Sequence, residues 1–196
     1  LAFTHSQEEV LAIYKNDNSD PAKYALAATN FFNGDKKNSV AKIKSLIKSN
    51  PTNPYYHELL GEVYYSQGNF TLAIEEQKIT IELMTNINDL HLMMLGSYLL
   101  AESSKENIIE GINSLNKSLF INKNNSYSWY LLAKAYALNN NLALAQYASA
   151  ERYYLRGDKP LALSFAKKAI KNIDKNTVEW YRANDLIELI DEIEKK

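Results

Sequence analysis

No cysteine occurs in the 196 residues, which excludes disulfides, thiolate metal sites and thiol nucleophiles alike. Histidine is almost as scarce, with three residues, and the four prolines and six glycines are too scattered for a Gly-rich phosphate loop. No Gly-x-Ser-x-Gly elbow frames a serine. Neither sign of charge dominates: 22 basic residues stand against 23 acidic, for a net charge of −1. A chain so balanced has no bulk attraction for nucleic acid or an anionic membrane. Long apolar runs are missing too. Leu90–Ala101, interrupted by His91 and Ser97, is the most apolar stretch, and a spanning helix needs roughly 20 apolar residues. The chain opens Leu1-Ala2-Phe3, without a basic segment leading into an apolar one. That opening predicts no signal peptide at this end and fits a trimmed piece of something longer.

What is present is a period. Gly34-Asp35 and Gly68-Asn69 lie 34 residues apart, each closing an apolar helical stretch, and Asn50–Pro54 separates one unit from the next. Thirty-four residues in a helix–turn–helix pattern is the tetratricopeptide (TPR) spacing. The register predicts units starting near Asp20, Pro54, Asp89, Ser126 and Ala143. The third requires about three extra residues, expected in its inter-helix turn around Ser103–Asn107. The fifth overlaps the fourth, so that Leu142–Arg156 closes one unit and opens the next.

Paired helices that cross closely need small residues at the eighth and twentieth positions. The eighth are Ala27, Gly61, Gly96, Ala133 and Ala150; the twentieth are Ser39, Ala73, Gly111, Ala145 and Ala162. Ala, Gly and Ser make up 41 of 196 residues, so an arbitrary register would place about two of them among these ten sites. Apolar stripes at helical spacing run between them, and no alternating strand pattern competes. Ser6-Gln7-Glu8-Glu9 reads as a capping box, Asp20-Pro21 as an N-cap before a first-turn proline, and Thr177 as the cap of a last helix. The expected fold is all-α: a TPR-type α-solenoid, a right-handed superhelix of helical hairpins with about eleven helices. Residues 1–19 form a lead-in and capping helix, 20–176 the array and 177–196 a second capping helix.

Chemistry has little to work with. His57-Glu58-Leu59-Leu60-Gly61 starts like the zinc motif HExxH, but Gly61 stands at the second ligand position and one imidazole does not hold catalytic zinc. No catalytic residue, metal or cofactor is expected in this chain. The Lys-rich stretch 36–48 lacks the aromatic interleaving of a nucleic-acid platform. Tyrosine, by contrast, is abundant at 14 residues. In a TPR array the first helix of each unit lines the inner wall, chiefly at its second, fifth, ninth and twelfth positions. Those positions hold Tyr24, Tyr55, Glu62, Tyr65, Met93, Tyr127, Tyr130, Lys134, Tyr147, Glu151 and Tyr154, joined by Leu90, Leu100, Leu144 and Glu58. Tyrosine offers area, little entropy loss and a hydroxyl, which suits recognition of an extended peptide or a partner's helix. The basic, Asn-rich clamp of chaperone-binding TPR proteins is not matched, because Tyr24, Ala28, Glu58 and Glu62 stand where it would begin.

Three stretches are more particular than a generic repeat: Pro21–Ala27, Asn53–Gly61 and Ala148–Asp158. Together with Trp180-Tyr181-Arg182-Ala183-Asn184-Asp185, they resemble the C-terminal TPR region of BepA-like periplasmic zinc metallopeptidases. These are relatives of the CAAX prenyl proteases, and the resemblance is especially to the alphaproteobacterial form. The resemblance implies a non-catalytic part of a longer zinc-dependent endopeptidase of envelope protein quality control, with zinc only in the preceding catalytic domain. It implies a periplasmic or envelope-associated setting, with outer-membrane assembly machinery or the parent's own protease domain as partners. The alternative is a free-standing TPR adaptor or assembly factor with no enzyme attached. Either way the expected ligand is a protein or unfolded peptide, with no nucleic acid and no membrane span.

Overall fold

The computed structural model describes residues 7–14 and 16–194, and every described element of regular structure is an α-helix. In chain order these are α1 (Gln7–Tyr14), α2 (Asp20–Phe32), α3 (Lys36–Ser49), α4 (Pro54–Ser66), α5 (Phe70–Leu83) and α6 (Asp89–Glu102). They continue with α7 (Lys105–Ile121), α8 (Ser126–Leu138), α9 (Leu142–Leu155), α10 (Lys159–Ala169) and α11 (Val178–Glu194). The chain divides into two compact units, Leu1–Ile87 and Asn88–Lys196.

Side-chain caps set most helix starts, each satisfying an amide that the first turn leaves unpaired. The Asn53 side chain accepts from the Tyr55 amide at 3.1 Å, Asn125 from those of Tyr127 and Ser128, Asn141 from Leu144, and Thr177 from Trp180. One expected cap moves. Ser19, not Asp20, caps α2, its hydroxyl accepting from the Ala22 amide at 3.4 Å, which leaves Asp20 and Pro21 inside the first turn. The capping box at Ser6 lies outside the described residues. Hairpin turns share one device, a residue in the left-handed region that reverses the chain: Gly34, Gly68 and Gly157 at φ of +84°, +78° and +79°, and Asn140 at 58°.

The third hairpin departs from the expected lengthened turn. Only Ser103 and Ser104 separate α6 from α7, with Ser103 itself left-handed at φ 61°. The additional residues instead lengthen α7 to 17 residues, where α3, α5 and α9 have 14 each. Ser104 accepts the Asn107 amide at 3.2 Å and starts the helix early.

Close helix crossings fall where the period requires them. In the α2–α3 pair the Ser39 hydroxyl, fully buried, donates to the Ala27 carbonyl at 2.8 Å. In α4–α5 a methyl group added at Gly61 would meet the Ala73 carbonyl oxygen at 3.4 Å. In α6–α7 one at Gly96 would sit 2.7 Å from Leu115, and one at Gly111 would lie 3.6 Å from the Gly96 carbonyl oxygen. Ala73, Ala150 and Ala162 are fully buried and Ala145 nearly so, while Ala133 is half-buried. The first unit's core holds Ile43, Leu46, Leu60 and Val63, with Val10 of α1 also buried. The second centres on Leu115, Trp129, Leu132, Tyr136 and Tyr147. At the end of the second unit α11 packs on α10 and α9, and the Trp180 indole donates to the Ile170 carbonyl at 3.2 Å.

Helix α9 is shared between two hairpins, packing against α8 on one side and α10 on the other, with α11 also in contact. Its two long faces are therefore both committed to function or core.

Candidate peptide-binding surfaces

In the first unit the stripe on α4 holds Tyr55, Glu58, Glu62 and Tyr65, at i, i+3, i+7 and i+10, on one helical face. Tyr55 is 56% exposed. Tyr24 of α2 stacks at a tilt on Tyr56, with ring centroids 5.8 Å apart. Together with Pro21, Asn53 and Tyr55 these rings line a cleft of about 240 Å³. The wall is acidic. Burial, with the Glu58 and Glu62 charges behind it, pushes the Tyr24 phenol up to about 12. Burial, and then Glu58, raises the Glu62 carboxyl above its usual range. Farther along α4, Tyr65 meets Phe70 at 5.6 Å and closes the stripe.

His57, the histidine of the HExxH-like string, is 6% exposed and does a structural task. Its Nδ1 lies 2.7 Å from a Glu76 carboxylate oxygen and its Nε2 3.0 Å from the Pro51 carbonyl oxygen. Both ring nitrogens face acceptors, which fixes the ring between α5 and the connection before α4. Among the described residues no group of three or more His, Asp or Glu side chains is placed to hold a metal ion.

In the second unit, Tyr127, Tyr130 and Lys134 form the matching stripe on α8. The two tyrosines, 51% and 39% exposed, pair at 5.7 Å. The Arg152 guanidinium of α9 sits 4.5 Å from the Tyr130 ring centroid, a cation–π contact. Beside it opens an apolar cleft of about 300 Å³, lined by Tyr130, Lys134, Leu142, Gln146, Arg152 and Phe165 among others. Gln146 lines this cleft, and its Oε1 is buried without a hydrogen-bond partner. Met93 of α6 is half-buried. Its sulfur lies 3.7 Å from the Asn125 amide nitrogen, which also donates to Asp89 at 2.9 Å.

Tyr147, Glu151 and Tyr154 do not join this surface. At about 100° per residue they lie on the side of α9 roughly opposite to Ala145, Ser149 and Arg152. Tyr147 is 3% exposed and its ring meets Trp129 edge-on at 5.6 Å. It is a core residue because Trp129 of α8 and Arg182 of α11 lie against it on that side of α9. Burial, with Glu151 next, raises its phenol. Leu100, also expected on the wall, is 2% exposed in the core for the same kind of reason, covered by α7. Glu151 and Tyr154 line a separate cavity of about 310 Å³ with Lys123, Trp129, Leu155 and Arg182. Burial raises the Glu151 carboxyl, against the opposing pull of Tyr147, Arg182 and Lys123.

The tyrosine inventory missed Arg152, Phe165, Lys123 and Arg182. The overlapping fifth unit was the available signal. A helix that is second in one hairpin and first in the next turns a different side to each neighbour, so its stripe cannot continue that of α8.

Comparison with known proteins supplies the fold. No family model matches the chain. Residues of the chain are 28% identical over 154 residues to the beta-barrel assembly-enhancing proteases of Escherichia coli K12 and Shigella flexneri, covering 79% of this chain. The chain spans only 31% of the length of those relatives. Among solved structures, the crystal structure of MamA superposes with a TM-score of 0.62 at 19% identity, covering 87% of this chain and 95% of that one. MamA 41-end from Desulfovibrio magneticus RS-1 gives 0.67 at 13% identity over 91% and 96%. YrrB, a TPR protein with an unusual peptide-binding site, gives 0.58 at 15% over 94% and 100%. The chain thus has the TPR-type α-solenoid fold.

Proposed function

We propose that this chain is a non-catalytic adaptor that holds an extended segment of another polypeptide against the tyrosine-bearing wall of α8. The observation that carries this is the Tyr127–Tyr130 ring pair, half in solvent, capped by Arg152 beside an apolar cleft. Aromatic area supplies affinity, and Lys134 with Arg152 favours acidic segments. A neighbour in fold, YrrB, is described by its peptide-binding site, which supports the same use here. The test is binding of a permanently unfolded, acidic polypeptide to the Tyr127→Ala/Tyr130→Ala variant, read by fluorescence anisotropy. Loss of about tenfold or more in affinity, with melting largely retained, supports the wall. Loss of stability without a separable binding effect makes the rings part of the core.

The identity to beta-barrel assembly-enhancing proteases favours a second reading. In it, the same wall presents substrates to a zinc peptidase domain of a longer protein, in the periplasm, with outer-membrane assembly machinery or that peptidase domain as partner. The genomic reading frame on the 5′ side of the Leu1 codon separates the two. HExxH with a signal peptide there supports the protease appendage, and an initiator codon adjacent to Leu1 supports the adaptor.

A further inference from the structure

The face of α9 opposite the tyrosine wall opens into the 310 Å³ cavity, at the lower end of the roughly 300–1,000 Å³ typical of small-ligand sites. Lys123, from the connection before α8, and Arg182, from α11, stand exposed at its rim. Trp129 is locked in place by donating from its indole to the Lys123 carbonyl at 2.8 Å. The same bond fixes the backbone from which the Lys123 side chain projects. Behind the half-buried Glu151, the Tyr147 hydroxyl is buried beside the Glu151 carboxyl and the Arg182 guanidinium without a well-formed hydrogen bond to either. Among the described residues no ion pair closes between Glu151 and either cation. Both cations feel the Glu151 carboxylate, and Arg182 that of Glu179 as well, but neither is in a direct ion pair with Glu151. Two cations at one mouth above an aromatic wall thus present N–H donors to a single anion attached to apolar atoms.

We infer that this cavity binds a carboxylate of a peptide, either the C-terminal one or that of an Asp or Glu side chain, between Lys123 and Arg182 with the adjoining apolar atoms against Trp129 and Leu155. This site is separate from the tyrosine wall and goes beyond the adaptor reading: a polypeptide held on one side of α9 and a carboxylate on the other would be distinct events. Glu151 sets its pH response. The groups facing it are Tyr147 and Tyr154 on α9, Lys123 on the preceding connection, and Arg182 on α11, with Glu179 beside Arg182. An incoming carboxylate makes ionised Glu151 more costly, so binding takes up a proton and weakens as pH rises.

The test is a titration of the ¹⁵N-labelled 196-residue chain with N-acetyl-leucine, N-acetyl-glutamate α-amide and N-acetyl-leucinamide, read at the Trp129 indole N–H and the Arg182 amide. Saturable shifts are expected with a carboxylate probe and binding about tenfold weaker or less with leucinamide. Response to N-acetyl-leucine alone assigns a C-terminal carboxylate, and response to the glutamate amide alone a side-chain one; either supports the site. The size-preserving Lys123→Gln/Arg182→Gln variant should keep its dispersed spectrum and lose saturation. Glu151→Gln should bind more tightly than the unsubstituted chain at pH 8 and lose most of the pH dependence. Equal response to leucinamide, saturation that survives in the double variant, or no saturable shift at Trp129 with either carboxylate overturns the inference.

Discussion

The walls of the two units occupy equivalent helical positions and carry different chemistry. Tyr55, Glu58, Glu62 and Tyr65 on α4 correspond in register to Tyr127, Tyr130, Lys134 and Ala137 on α8. The first wall is acidic and is closed at its end by Tyr65 on Phe70. In the second, Ala137 and the exposed Leu142 stand where Tyr65 and Phe70 would, and a cleft opens there instead. The period decides which positions face outward; the residue placed there decides charge and whether a pocket exists.

The buried fourth position repeats the lesson in the core. His57 and Trp129 each direct a ring nitrogen to the carbonyl of the residue six places earlier, Pro51 and Lys123, at 3.0 and 2.8 Å. One ring adds a carboxylate contact to Glu76, and the other adds an edge-on aromatic contact to Tyr147. If burial dominates, Trp129→Ala costs about 3–5 kcal/mol and His57→Ala roughly 1–3 kcal/mol, mainly through the stranded Glu76. Hydrogen exchange on α7–α8 and α4–α5 respectively reads each unit separately. Equal losses would erase the distinction between the two anchors.

Ala137→Tyr tests the open cleft. A ring there should fill the space beside Tyr130 and weaken polypeptide binding about tenfold, with little change in melting, in an anisotropy titration. Lys134→Glu makes the second wall resemble the first in charge. An acidic polypeptide should lose a few-fold in affinity at low salt, and the difference should fade as salt rises.

The smallest effect concerns Glu62. Its folded-state carboxyl titrates above the unfolded value, so the native state holds the proton over a pH range in which the unfolded chain has released it. Stability therefore falls as pH rises from the ordinary carboxylate range through the raised folded value, and stays lower above it. Glu62→Gln should flatten that slope in urea unfolding measured from pH 4 to pH 7. An unchanged slope would contradict the assigned burial of this acid.

Much of this was legible in the sequence. The small residues at the crossings, such as Ser39 and Gly61, announce the hairpins because the facing backbone lies close, 2.8 Å from the Ser39 hydroxyl and 3.4 Å from a methyl group added at Gly61. The exposed Tyr55, Tyr127 and Tyr130 follow from the same register. The lengthened third hairpin was visible only as a surplus of residues. Whether they extend a turn or a helix depends on Ser104 capping α7 early, a local hydrogen bond that competes closely with a longer loop. Tyr147 misleads because periodicity reports a side of a helix but not which neighbour covers it. Arg152 and Arg182 become functional candidates only when Tyr130 and Glu151 are found beside them.

Helix α9 separates the two proposed binding faces, with the tyrosine wall of α8 as the proposed polypeptide site. The most direct measurement is backbone and side-chain NMR mapping of the 196-residue chain saturated with an unfolded acidic polypeptide such as reduced, carboxymethylated α-lactalbumin. The largest perturbations are expected at Tyr127, Tyr130, Lys134, Gln146 and Arg152, with Tyr147 unmoved in the core. Perturbations centred on other helices, with these five residues silent, would contradict it.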